Sequence, residues 1–354
     1  MAYAQHELLT RLLQDVSRSF YLTLRVLPGA IRPQIGLAYL LARTTDTVAD
    51  TDLISVEQRL EALELLRNRI AGTSSLPVNF TQLAPHQGTQ AERVLLERCE
   101  SSLALLDQFS REDRELIREV LQVISSGQEL DLRRFAAGTR DNIIALQTDA
   151  DLDDYTFRVA GCVGEFWTRL CLAHLYTSAG LPAEGLLANG VLFGKGLQLV
   201  NILRDLPSDL EQGRCYIPSE RLVNVGLTPK SLAEPANADR FRTIFRHYLD
   251  RADDFLRAGW NYTNTLPWYS MRVRLACAWP VLIGQETIRL LRSVDGVDPK
   301  QRVKVSREQV KRILWRSALA YPWPAAWRRL GEEPGKFRRL VPRGGQGSKA
   351  FSRG

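Results

Sequence analysis

Apolar residues recur every three or four positions along most of this chain, and the β-branched alternation typical of strands is nearly missing. That periodicity restricts the chain to packed helices. It predicts them from about Gln5 to Leu24, Gln34 to Thr51, Val56 to Ile70, Gln90 to Gln108, Arg111 to Gly127, Asp151 to Ala179, Ala183 to Leu206, Arg240 to Asn264, Ser270 to Ser293 and Arg307 to Tyr321. Two of them are too apolar to present a water-facing side, yet each carries acids near its end. Asp46 and Asp50 stand at i and i+4 in one; Asn201, Asp205 and Asp209 follow one another in the other. Buried carboxylates without partners repel one another and are costly, so both sets must line an internal cavity that receives something cationic.

Hard oxygen donors at this spacing suit Mg²⁺, which keeps several waters and completes its octahedron with substrate phosphates. Tyr39, Arg43, Asp46 and Asp50 trace one helical face. A metal alone needs no arginine there, but a diphosphate does, because a guanidinium forks onto phosphate oxygens. The plainer account, in which Arg43 only neutralises Asp46, is weakened by the second set. There Gln198, Asn201 and Asp205 share a face, Arg204 adjoins Asp205, and Arg214 follows on a loop. Pro207 removes a backbone donor and disfavours helix at Leu206, so Asp209 is expected to leave that line.

Composition narrows the rest. A 45% hydrophobic content without a break between halves fits one all-helical domain over residues 1–340, followed by a basic, Gly-rich tail, 341–354, expected to be disordered. Five scattered cysteines read as free thiols in a reducing compartment, and four unclustered histidines speak against zinc. Residues 1–10 lack a signal core, and no run is read as long enough to span a membrane. The chain is therefore expected to be cytoplasmic, or peripheral to a membrane at most. A net charge of +7 favours anionic partners, but the basic tail has no interleaved aromatics, so nucleic acid is not expected. No obligate protein partner is expected either.

In this order the fragments resemble the squalene/phytoene synthase family of head-to-head prenyl transferases, over roughly Ser17 to Arg312. They are Ser17-Arg18-Ser19-Phe20; Tyr39-Leu40-Leu41-Ala42-Arg43 with Asp46 and Asp50; Gly127-Gln128-Glu129-Leu130-Asp131; Val159-Ala160-Gly161-Cys162-Val163-Gly164; Gln198 with Asn201, Arg204, Asp205 and Asp209; and Gly213-Arg214. The resemblance implies an all-α isoprenoid-synthase bundle around a central apolar cavity. It implies that Asp46, Asp50, Asn201, Asp205 and Asp209 hold Mg²⁺, that Arg18, Ser19, Arg43, Arg204 and Arg214 surround the diphosphates, and that Tyr39 faces the reacting centre. Phe20, Gln198, Val159 and Gly161 are further pocket positions. One departure stands out: many relatives carry Tyr directly before Val-Ala-Gly, whereas this chain has Arg158, with Tyr155 one turn earlier.

The activity so implied joins two farnesyl diphosphates to a cyclopropyl diphosphate, which ionises again. Asp46-Thr47 resembles the squalene-synthase form, ending in NADPH reduction to squalene, more than the Asp-Asp opening of phytoene synthases. Phytoene or dehydrosqualene synthase, without reduction, is the alternative; a noncatalytic helical scaffold or assembly factor is the alternative of another class. Trp167, Trp260, Trp268 and Trp279 read as packing, Asp131 as a partner for Arg133 or Arg134, and Ser306 as a helix cap beside Lys304.

Overall fold

The computed structural model describes residues 8–17, 20–51, 54–80, 83–293 and 303–332. The chain opens with a π-helical turn, Leu8–Leu12, and two short helices, α1 (Leu13–Ser17) and α2 (Phe20–Val26). Then come α3 (Arg32–Ala49), α4 (Val56–Ala71), α5 (Gln90–Glu97), α6 (Cys99–Leu106) and α7 (Arg111–Arg134). The central part holds α8 (Asp149–Thr156), a second π turn at Phe157–Gly161, α9 (Cys162–Leu175), α10 (Ala183–Glu211) and α11 (Ser219–Val223). The last helices are α12 (Ala238–Thr265), α13 (Met271–Leu291), α14 (Arg307–Ala320) and α15 (Pro324–Glu332). The fold is all-α. Its only sheet among the described residues is one parallel pairing, β1 (Ile144–Ala145) with β2 (Arg214–Cys215).

Local chemistry sets the boundaries. Ser55, Thr148 and Ser306 each close a reciprocal capping box with the residue three positions on, and α4 stops where Gly72 turns left-handed at φ 78°. Ser306 is thus the cap expected from the sequence. Four boundaries differ from the sequence reading. The segment Gln90 to Gln108 breaks at Arg98 into two helices, and α7 continues past Gly127 to Arg134. The stretch after Asp151 is interrupted by the π turn and ends at Leu175. Helix α10 passes through Pro207 without a break and ends at Glu211, so Asp209 stays on it. A proline costs a helix one hydrogen bond and a clash, and here the buried Leu203, Leu206 and Leu210 around it hold the turn in place.

Two buried apolar clusters form the core. One gathers α1 to α7 and α9, including Leu37, Leu41, Leu66 and Leu121; the other gathers α8 and α10 to α15, including Leu199, Leu203, Tyr248 and Trp327. They meet where α9 crosses α10, and the crossing is set by glycine. A Cβ on Gly164 would stand 1.8 Å from the carbonyl oxygen of Gly190, and one on Gly194 would stand 2.1 Å from that of Ala160. The small residues Ala160, Gly161 and Gly164 thus allow a tight crossing, with Gly190 and Gly194 as their counterpart. The five described cysteines are all buried and unpaired. Contrary to the sequence reading, α10 is long and apolar enough to cross a membrane; half of its apolar window is buried among neighbouring helices.

Candidate active site

A cavity of about 1120 Å³ lies between the two clusters. Helix α3 brings Tyr39, Arg43, Asp46 and Asp50 to it, α10 brings Gln198, Asn201, Arg204 and Asp205, and β2 adds Arg214. The two acidic sets are thus in one chamber. Their fields overlap: the Tyr155 hydroxyl feels both Asp46 and Asp209, and Arg214 feels both Asp131 and Asp50. The opposite end is apolar, with Trp167, Phe193, Tyr262, Ala276 and Cys277 around the glycines of the α9–α10 crossing.

Each wall carries its own ion pair. Arg43 donates to Asp46 three residues on and to Glu92 of α5 at 2.6 Å; Arg204 forks onto Asp205 at 2.9 and 2.5 Å. Asp46 keeps 41% of its side-chain surface, all of it consistent with a cavity wall deep inside the protein. Burial pushes its carboxyl above the usual range; Arg43 offsets this only in part, and the charge of Glu92 adds to the rise. On Arg43 itself, burial pulls the pKa down, but Asp46 and Glu92 together hold it above its ordinary value. Asp209 is pushed up to about 7 by burial and by the neighbouring Asp205 charge, against Arg214.

Arg214 owes its position to backbone. Gly213 sits at φ 78°, and a Cβ there would lie 2.2 Å from the amide nitrogen of Thr139, so only glycine fits. The Ile144 amide donates to the Gly213 carbonyl at 2.9 Å and the Leu146 amide to Cys215 at 3.0 Å, fastening the loop to the end of α10.

Some expected residues fall elsewhere. Gly161 does not line the cavity; its hydrogen faces Lys195 and the Phe157 ring at the helix crossing, where a Cβ would be 3.0 and 3.1 Å away. Asp209 adjoins the acidic end without facing the chamber. Arg18 and Ser19, and the side chain of Phe20, lie outside the described residues, as does the tail 341–354. Val159 lines the cavity as expected. Arg158 does not: it pairs with Asp154 at 2.8 Å and donates to Ser126 at 2.9 Å. Tyr155, one turn before, does face inward, and the π turn that follows it resets the helical phase.

Asp131 was undervalued. Arg133 pairs with Glu129 and Arg134 with Asp151, while Asp131 lines the cavity and accepts from the Tyr216 hydroxyl at 2.5 Å. Burial pushes its carboxyl up to about 6, against the Tyr216 hydrogen bond and Arg214. Tyr216 in turn stacks on Tyr155, ring centroids 4.7 Å apart, and burial drives both phenols well above their ordinary values. Arg59, also not anticipated, lines the cavity and donates to the Ala49 carbonyl at the end of α3 at 3.1 Å. Its signal in the sequence is faint, a lone arginine one turn into an amphipathic helix.

The squalene/phytoene synthase family model matches residues 13–309. This chain belongs to that family. It is 34% identical over 305 residues to a presqualene diphosphate synthase of Rhodopseudomonas palustris, covering 85% of this chain and 93% of that one. It is 28% identical over 314 residues to the bifunctional lycopene cyclase/phytoene synthase of Gibberella fujikuroi, covering 87% of this chain. There it spans only 51% of the relative's length. Among solved structures, TcSQS with the ligand E5700 superposes with a TM-score of 0.75 at 23% identity, covering 93% of this chain and 90% of that one, which shows the shared fold.

Proposed function

We propose that this chain condenses two farnesyl diphosphates head to head into presqualene diphosphate, and that with NADPH it carries the product on to squalene. The observation that carries the proposal is the single chamber with acids and arginines of α3 and α10 at one end and an apolar lining at the other. A ligand that is a diphosphate at its head and a hydrocarbon behind it matches that gradient. A relative that this chain covers over 93% of its length is named for presqualene diphosphate.

The donor chemistry fits Mg²⁺. Asp46, Asp50, Asn201 and Asp205 offer hard oxygens to one cavity, and among the described residues no three His, Cys, Asp or Glu side chains stand close enough to hold an ion by themselves. An ion held there would need phosphate oxygens and waters to complete its shell. Bound there, Mg²⁺ would neutralise charge on the departing diphosphate. The arginines do the remaining electrostatic work: Arg43, Arg204 and Arg214 bind phosphate oxygens as the carbon–oxygen bond of one substrate breaks and the electron pair leaves with the diphosphate. Trp167, Phe193 and Tyr262 keep water from the allylic cation until the double bond of the second substrate attacks it, with loss of one proton.

The residues before α14 offer NADPH no place in the chamber: Ser306 caps that helix, Val305 is buried, and neither lines the cavity. The reduction is therefore tested rather than assigned to residues. The experiment is incubation with farnesyl diphosphate and Mg²⁺, with and without NADPH, followed by extraction and hydrocarbon analysis. Presqualene diphosphate alone without NADPH, and squalene with it, is the expected result. A conjugated triene formed without NADPH would replace the reading with a dehydrosqualene or phytoene type of synthase, and no turnover at all would favour a scaffold.

A further inference from the structure

All four exposed large aromatic side chains among the described residues lie in one corner of the molecule. Trp315 and Trp323 are 70% and 63% exposed, Trp268 and Tyr269 39% and 75%. On α14, Trp315 and Leu319 stand at i and i+4 and continue the line of Lys311; the opposite face buries Ile313 and Ser317, with Trp279 donating to Ser317 at 3.0 Å. Tyr321 stacks on Trp268 with ring centroids 4.6 Å apart, which joins the α12–α13 corner, with Tyr269 and Met271, to the end of α14. Elsewhere the exposed large apolar residues are scattered aliphatics such as Leu65, Leu76 and Val223.

Charge says what this corner meets. Lys311, Arg312, Arg316, Arg328 and Arg329 are exposed around the aromatics, and between residues 303 and 332 the only acids are Glu308 and Glu332. A second copy of the chain would bring like-charged faces together. The chain's own segment 334–354 has six basic side chains and no acidic one, so it is repelled as well. Tryptophan, tyrosine and leucine set among lysine and arginine suit the headgroup region of a bilayer, where an apolar ring body and a polar tip are both satisfied. We infer that the outer face of α14 and the α12–α13 corner dock this protein on an anionic lipid bilayer. The placement also suits a hydrocarbon-handling cavity, because its apolar end draws Thr23, Tyr262, Ala276 and Cys277 from α2, α12 and α13, helices that also carry the exposed Leu22 and Met271. The inference stands on the surface and not on the reaction, so it is read without substrate.

The test is sedimentation of the full chain with phosphatidylcholine vesicles, with and without about one third phosphatidylglycerol. The unmodified chain should bind only the anionic vesicles and be released by salt, a readout independent of any variant. Neutralising Lys311→Gln, Arg312→Gln and Arg316→Gln together should weaken binding roughly a hundredfold, from about a fivefold loss per charge. Trp315→Ala, Leu319→Ala and Trp323→Ala together should weaken it at least about tenfold while leaving turnover in detergent unchanged. Equal binding to neutral vesicles, or undiminished binding by both triple variants, would overturn the inference. So would a concentration-dependent dimer on gel filtration that the Trp315, Leu319 and Trp323 variant abolishes.

Discussion

Adding one methyl group at Gly164 is a sharp probe of this fold, because it separates intrinsic helix preference from the packing of the cavity wall. In a helix interior Ala is favoured over Gly by about 0.8–1 kcal/mol. At Gly164, however, the new Cβ would meet the Gly190 carbonyl oxygen at 1.8 Å, whereas ordinary contact begins at 3.4 Å, so α9 and α10 would have to part by about 1.6 Å. The obstacle is backbone, which cannot rotate away as a side chain can. Overpacking costs up to about 3 kcal/mol, leaving a net loss near 2 kcal/mol. Gly185, in the first turn of the same α10, has nothing within 4 Å of its virtual Cβ, so Gly185→Ala keeps the favourable part alone, up to about 1 kcal/mol. At about 2.1 cal/mol/K per residue, unfolding a chain of this length carries about 0.7 kcal/mol/K of entropy, so each kcal/mol moves Tm by only about 1.3 °C. Parallel melts should place Gly164→Ala about 3 °C below the unmodified chain and Gly185→Ala about 1 °C above it. Since Gly164 and Gly190 line the chamber, Gly164→Ala should also lose turnover. If Gly164→Ala melts as high as Gly185→Ala, the close approach of the two helices is not what fixes the crossing.

Asp46→Asn and Asp205→Asn should each abolish most product formation from farnesyl diphosphate while keeping the native circular dichroism, and full turnover by either would remove the basis of the proposed chemistry. For Asp209 the sign follows from its carboxyl, which burial and the Asp205 charge push up to about 7 from its ordinary 3.8. Its protonated form is favoured by folding, so the stability it contributes is fully present below the unfolded value and is lost as pH rises through 7. Melts from pH 8 to pH 5 should show this gain on acidification, and Asp209→Asn should flatten it; an unchanged slope would show that the group does not titrate there. Tyr216→Phe removes the hydroxyl that Asp131 accepts from and should cost about 1–3 kcal/mol by denaturant titration, with no loss pointing to water as an adequate replacement. Arg158→Ala should leave turnover near its original level, since its partners Asp154 and Ser126 are outside the chamber.

The helices were legible because their apolar stripes are long, and the acids were legible because they interrupt such stripes. Asp46, Asp50, Asn201 and Asp205 lie where period and charge place them. What escaped depends on tertiary context. Nothing local says that α7 runs past Gly127, so Asp131 read as a neighbour of arginines rather than as a wall of the cavity. Pro207 read as a helix end because local rules price its missing hydrogen bond but not the leucines packed around it. The relation of Tyr155 to the helix that follows was hidden by the π turn after it, since a single extra residue in a turn rotates every later side chain by about 100°. The partners of Gly164 and Gly161 across the helix crossing, Gly190 and Lys195, are distant in sequence and invisible to any periodic reading.

The pairing of Arg43 with Asp46 and of Arg204 with Asp205 has a consequence for the order of events. With Asp46 and Asp205 each answered by a guanidinium, those two carboxylates pull less on a free divalent cation. Under the proposed chemistry, a diphosphate that drew the two arginines onto its own oxygens would uncover the acids at the same moment, and metal capture would then follow substrate arrival. Side chains ordered beforehand lose little rotational freedom in that exchange, and a charged, reactive head group is received by a surface that needs to swap partners rather than recruit them.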